Sequence, residues 1–158
     1  MSKYNRDNLL FIDGVPFNIE KTARANFLLG KGCYKNIDDP ILELGEYIML
    51  SYVISNPELS QSDIAKLLYK GKAHVGKILN EMETKGYIKR VAVSDNNMLK
   101  KLTKITPKGQ DIYDRTHKEF TKIIDKVLGN FSDDEIEIFG KLLNKYRSNI
   151  VENFDLDF

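Results

Sequence analysis

The chain has 158 residues, 42% hydrophobic and 30% charged, with a formal net charge of +1. That length suits one domain or one domain with an extension, and the composition is ordinary for a soluble globular chain. No run approaches the roughly 18–20 apolar residues of a membrane span. The mixed-charge start MSKYNRDNLLFIDG does not read as a signal peptide. A lone cysteine, Cys33, excludes an intramolecular disulfide framework and fits a reducing, cytoplasmic setting.

The charge is unevenly spread. Residues 59–110 carry 11 Lys+Arg against 4 Asp+Glu, a net of +7, while residues 1–58 net −2 and residues 111–158 net −4. One basic segment between two acidic ones points to a polyanion partner at one place only.

In chain order, residues 1–15 read as an arm with little structure of its own, carrying the apolar patch Leu9, Leu10, Phe11 and Ile12. Pro16 suits the first turn of a helix. Ile19, Ala23, Phe27 and Gly30 follow at helical spacing, which predicts a helix over about 16–34, weakened late by Gly30 and Gly32. Asp38-Asp39-Pro40 is a second start signal, an acidic cap with proline behind it. The helix expected there stops near Asn56-Pro57 and presents a broad apolar face of Ile41, Leu44, Tyr47, Ile48, Leu50, Ser51 and Ile54.

Ser60 is a good N-cap for a third helix, Asp63 stands where a capping box places its carboxylate, and Leu59 can staple against Ile64. Ile64, Ala65, Leu67 and Leu68 are expected inward, and Gly71 is expected to give the following turn its freedom. The fourth helix, about 72–85, has a clean stripe of Val75, Ile78, Leu79 and Met82. Its opposite side carries Ala73, Lys77, Asn80 and Thr84, with His74 and Gly76 at the edges: small, polar and basic. Such a face can enter a groove without steric obstruction. Gly86 closes it.

Residues 87–93 and 99–106 read as two strands around the turn chemistry of Ser94-Asp95-Asn96-Asn97. Leu102 is out of parity with Leu99, Thr103 and Ile105, as in a twisted hairpin with one poorly buried face. Thr106-Pro107 then starts a helix to about Leu128, with Ile112, Tyr113, Thr116, Phe120, Ile123, Ile124 and Val127 on one side. Ser132 to Glu135 is a capping box, with Phe131 and Ile136 placed as a staple, for a last helix bearing Ile136, Phe139, Leu142, Leu143, Tyr146, Ile150 and Phe154.

The order α-α-α-α-β-β-α-α is mainly α with a small β-hairpin: a winged helix-turn-helix plus a helical dimerisation region. The division expected is 1–38, N-terminal arm and first dimerisation helix; 39–106, winged helix-turn-helix; 107–158, C-terminal dimerisation helices. The outer apolar stripes are too extensive for one small module to cover, so a homodimer is expected, presenting two reading helices about 34–36 Å apart. The DNA-contacting candidates are Ser60, Gln61, Lys70, Lys72, Ala73, His74, Lys77, Asn80, Arg90, Asn96, Asn97, Lys100 and Lys101. Taken singly, such lysines read as solvated surface; as a set within the one basic segment they point to double-stranded DNA.

No Walker loop, Rossmann glycine pattern, HEXXH or nucleophile elbow occurs, so an enzyme is the least supported class, and no catalytic residue, metal or cofactor is expected. His117 reads as helix surface. Phe27, Tyr34, Tyr47 and Tyr52 are candidates for an aromatic ligand pocket, against the plainer reading as core. Two other functions stay open: a winged-helix module that binds protein, and a thiol-based sensor that uses Cys33.

Three stretches resemble the MarR family of prokaryotic regulators. Leu59-Ser60-Gln61-Ser62-Asp63-Ile64-Ala65-Lys66-Leu67-Leu68 is similar to the family's "sq-x-eLA-x-x-L". Leu79-Asn80-Glu81-Met82-Glu83-Thr84-Lys85-Gly86-Tyr87-Ile88-Lys89-Arg90 is similar to "LE-x-x-G-lI-x-R". Leu102-Thr103-Lys104-Ile105-Thr106-Pro107-Lys108-Gly109 is similar to "L-x-LT-x-x-G". The resemblance covers roughly 39–146. It implies a homodimeric transcription factor, usually a repressor on a pseudo-palindromic operator, often answering to a small ligand or oxidant. It places the recognition helix at 72–85 and the wing at 90–104. The sequence departs from the pattern at the wing tip, where Asn96-Asn97-Met98-Leu99 replaces the family's Asp-x-Arg. Lys100 or Lys101 stands nearby, but an ammonium lacks guanidinium geometry.

Overall fold

The computed structural model describes Ile12 and residues 14–33, 41–95 and 98–156. It contains six helices and one hairpin: α1 (Val15–Cys33), α2 (Leu44–Ser55), α3 (Gln61–Leu67), α4 (Lys72–Thr84), β1 (Ile88–Asp95), β2 (Met98–Ile105), α5 (Pro107–Leu128) and α6 (Asp133–Asn153). These fall into two compact units, residues 1–44 and 45–158, described in turn. No helix among the described residues is long and apolar enough to cross a membrane.

In the first unit, α1 lies within a residue of its expected bounds. The Asn18 amide donates to Gly14 O at 3.1 Å and so ties down the opening turn. Gly30 is buried, and a Cβ there would stand 3.0 Å from Leu44 Cδ2, so a side chain at that position would press on the leucine. Phe27, Leu28 and Leu29 are exposed.

α2 begins at Leu44, later than Asp38-Asp39-Pro40 signals; those three lie outside the described residues, and residues 41–43 are not helical. Leu42 in that lead is fully buried, and anchoring it overrides a local start signal. The buried side of α2 also differs from expectation. It is Glu46, Met49, Leu50 and Val53, while Tyr47, Ile48, Ser51 and Ile54 are half-buried.

The second unit gathers its core from five elements: Met49, Leu50 and Val53 of α2, Ile64 and Ala65 of α3, Val75, Leu79 and Met82 of α4, Ile88 of β1 and Ile112 of α5. Burying each larger side chain contributes roughly 1.5–3 kcal/mol. The capping box of α3 forms as expected: Ser60 N donates to Asp63 Oδ2 at 2.8 Å, and Asp63 N donates to Ser60 Oγ at 3.2 Å. Leu67, expected inward, is 45% exposed, because α3 ends there and its last turn opens outward.

The turn into α4 works differently from expectation. Gly71 has an ordinary φ of −58° as the N-cap of α4. Tyr69 takes the left-handed conformation, φ 50°, with Lys70 N bonded to Ala65 O and Tyr69 N bonded to Lys66 O. This is a Schellman closure with tyrosine where glycine is usual. α4 ends in the same motif with glycine in place: Gly86 has φ 75°, and Tyr87 N donates to Met82 O at 2.9 Å.

β1 and β2 pair antiparallel from Ile88↔Ile105 to Asp95↔Met98 without a bulge. Thr103 is buried and Leu102 half-buried, so the irregular parity is real. Leu102 also forms a single bridge to Ser60, which makes the segment before α3 a rudimentary third strand.

α5 starts on Thr106, whose Oγ1 accepts from Gly109 N at 3.0 Å and donates to Gly86 O at 2.7 Å. α6 has the capping box of Ser132 and Glu135 but no buried residue, and Phe139, Leu142 and Leu143 on it are exposed.

Candidate nucleic-acid interface

α3 and α4 form a helix-turn-helix whose second helix is held on three sides. At its start, Gln61 Nε2 donates to Lys72 O at 3.1 Å. The same nitrogen would lie 2.7 Å from a Cβ on Gly76, so glycine there clears the path of the clamp. At its end, Lys85 pairs with the buried carboxylate of Glu46 at 2.6 Å, and Lys108 of α5 donates to Lys85 O at 2.8 Å. On its flank, Arg90 of β1 binds Glu83 through Nε at 2.8 Å, and the Arg90 backbone N–H donates to Glu83 at 3.0 Å. These bonds to Arg90 hold the Glu83 carboxyl below the usual carboxylate range, against a smaller opposing push from burial.

With Val75, Leu79 and Met82 buried beneath, α4 presents Lys72, Ala73, His74, Lys77 and Asn80 to solvent. Lys70 is exposed beside them, its Nζ 3.5 Å from His74 Nε2. Lys101 is exposed on β2. The expected residues therefore separate by role. Ser60 serves the α3 cap and Gln61 the helix–helix clamp. Arg90 is engaged with Glu83 and, through a terminal nitrogen, with Asn80 at 2.6 Å. Asn96 and Asn97 lie outside the described residues. The backbone of Lys100 pairs with Val93.

Sequence reasoning missed Glu83, Glu46 and the clearance at Gly76. Glu83 and Arg90 lie seven residues apart, a spacing that neither a helix nor a strand period singles out. They meet only because Gly86 turns the chain back.

The aromatic candidates do not converge on one pocket. Tyr34 lies outside the described residues. Phe27, in the first unit, is exposed with Lys31 Nζ 4.8 Å from its ring centroid. Tyr47 and Tyr52 leave α2 in different directions. Tyr47 stacks on Phe120 at 4.8 Å and Tyr113 at 5.2 Å. Its hydroxyl meets His117 Nδ1 at 2.7 Å, so His117 is a partner of α2 and more than surface. Burial first, then the neighbouring Tyr113, raise the Tyr47 phenol above its ordinary value. Tyr52 instead lines an open groove of about 650 Å³ with Leu67, Tyr69, Arg147, Val151 and Phe154.

The model described as "MarR family" matches residues 42–96. The uncharacterised HTH-type transcriptional regulator YybA of Bacillus subtilis (strain 168) is 26% identical over 133 residues, 84% of this chain and 86% of that protein. A MarR/EmrR family transcriptional regulator from Acinetobacter sp. ADP1 superposes with a TM-score of 0.79 at 22% identity, over 90% of this chain and 99% of that one. MepR of S. aureus, solved as a DNA complex, superposes with a TM-score of 0.71 at 19% identity, over 87% of this chain and 96% of that one. The fold is thus the winged helix of that family.

Proposed function

This chain carries a MarR-family domain, and on that premise we propose that it is a DNA-binding transcriptional regulator, a homodimeric repressor on a pseudo-palindromic operator. The observation that carries the reading is the outer face of α4. Lys72, His74, Lys77 and Asn80 are exposed there on a helix that is clamped at both ends. A rigid helix with a small, cationic outer face fits the major groove, where cations and amides meet base edges and phosphates.

Residues 39–106 are the DNA-binding region; the N-terminal arm and first helix, 1–38, and the C-terminal helices, 107–158, form the dimer. The exposed apolar side chains of α6 support this, since a 21-residue helix with no buried residue needs a second surface to cover it. Among the proposed DNA contacts, Lys70, Lys72, His74, Lys77 and Lys101 reach the duplex directly. A small ligand relieves repression, and the groove beside Tyr52 has the volume for one.

Lys77→Ala tests the reading. It should weaken binding to a duplex from the protein's own upstream region and lower the salt slope by about 0.9, with the dimer unchanged by light scattering. Equal affinity and slope in wild type and variant would remove α4 from the interface.

A further inference from the structure

The contact between the wing and α4 fixes the chemistry of one side chain. One terminal nitrogen of Arg90 lies 2.5 Å from Glu83 Oε2 and 2.6 Å from Asn80 Oδ1. A guanidinium carries donors only, so the Asn80 atom that meets it is necessarily the carbonyl oxygen. The other branch of the amide, Nδ2 with its two N–H groups, is turned away from Arg90. Asn80 is exposed one turn beyond Lys77, on the face assigned above to DNA. An asparagine that reads adenine uses both branches, accepting from N6 and donating to N7. Here the accepting branch is held by a charge-assisted bond. What remains is a donor pair, and the base edge with two adjacent major-groove acceptors, N7 and O6, is guanine.

We propose that Arg90, anchored by Glu83, is a positioning residue that fixes Asn80 as a donor-only reader and so selects guanine over adenine at the base pair Asn80 faces; this rests on the DNA-binding reading above. Paired with Glu83, Arg90 itself makes no phosphate contact.

The test is selection from a pool of randomised duplexes by the full-length protein, its Asn80→Ala variant and its Arg90→Met variant, followed by salt titration on the selected site. Wild type should enrich guanine at one symmetric pair of positions, and Asn80→Ala should lose the preference there alone. Arg90→Met should admit adenine at those positions, cutting the discrimination roughly tenfold, with the other positions and the salt slope unchanged. A merely structural arginine would not move the preference at one base pair. Should Arg90→Met fail to fold by circular dichroism, Arg90→Lys keeps the charge on Glu83 with a single nitrogen and carries the same expectation.

Adenine at the Asn80-dependent position in wild type would overturn the proposal, as would an unchanged preference in the folded arginine variant. So would a salt slope lowered by about 1, the mark of a lost phosphate contact. Enrichment of no sequence by wild type would remove the DNA-binding reading, and this inference with it.

Discussion

Gly109→Ala should unfold the protein more readily than any surface change, because the start of α5 is pressed onto the end of the helix-turn-helix. A Cβ at 109 would stand 2.0 Å from Tyr87 O, 2.8 Å from Tyr87 C and 2.9 Å from Ile105 Cγ1. Ordinary carbon contacts are about 3.5 Å or more, so a backbone group must move by well over an ångström. The Tyr87 carbonyl is not at liberty to do so, since it accepts from Thr106 N at 3.0 Å and from Thr106 Oγ1 at 3.1 Å. Overpacking of this kind costs about 1–3 kcal/mol, and each cap bond lost adds about 0.5–1.5 kcal/mol. Alanine's better helix propensity returns about 0.8–1.0 kcal/mol. The net is a loss of about 3 kcal/mol, or a fall in Tm of roughly 6–12 °C for a chain this long. Melting at a fixed protein concentration, followed by circular dichroism, reads it. Gly45→Ala is the control of opposite sign. Its Cβ would meet Ile78 Cδ1 at an ordinary 3.7 Å, so it should be neutral or stabilise by up to about 1 kcal/mol. A Gly109→Ala variant within about 0.5 kcal/mol of wild type would refute the claim that α5 is locked against Tyr87.

Gly86→Ala places a side chain on a residue with φ 75°, in open space apart from Lys108 Cδ at 3.9 Å, and should destabilise by about 1–2 kcal/mol in urea titration. The Glu83 carboxyl, held below its usual range by Arg90, contributes stability that is complete above the ordinary carboxylate pKa and is lost as pH falls through the lower folded value. Glu83→Gln should therefore show a smaller loss of stability below about pH 4.3 than wild type, measured by acid titration of the far-ultraviolet signal. Tyr47 has the opposite sign: its raised phenol supports the fold below the ordinary tyrosine pKa and ceases to do so as pH rises through the folded value. Tyr47→Phe should flatten the alkaline loss of stability above about pH 10.

Most element boundaries were legible because their signals are local. Ser60 with Asp63, Thr106 with Pro107 and Ser132 with Glu135 each cap a helix within four residues of sequence. The start of α2 was not, because burial of Leu42, a tertiary fact, overrides the cap at Asp38-Asp39-Pro40. Nor was the buried side of α2, LGEYIMLSYVIS, which is apolar nearly all round and gives periodicity nothing to choose with. Leu67 reads as core by spacing, yet α3 is only seven residues long and ends on it. Of the proposed interface, the outer face of α4 was visible in the pattern of Val75, Leu79 and Met82. The clamps that hold it were not, since Gln61 to Lys72, Glu46 to Lys85 and Glu83 to Arg90 join different elements across the fold.

The account rests on α4 meeting duplex DNA in a two-fold complex. The most direct test is footprinting of the purified protein on its own upstream DNA across a salt series. A symmetric footprint, with half-sites about one helical turn apart and log K falling steeply with log salt, is the result expected. Absence of protection even at low salt would contradict it and favour a winged helix that binds protein.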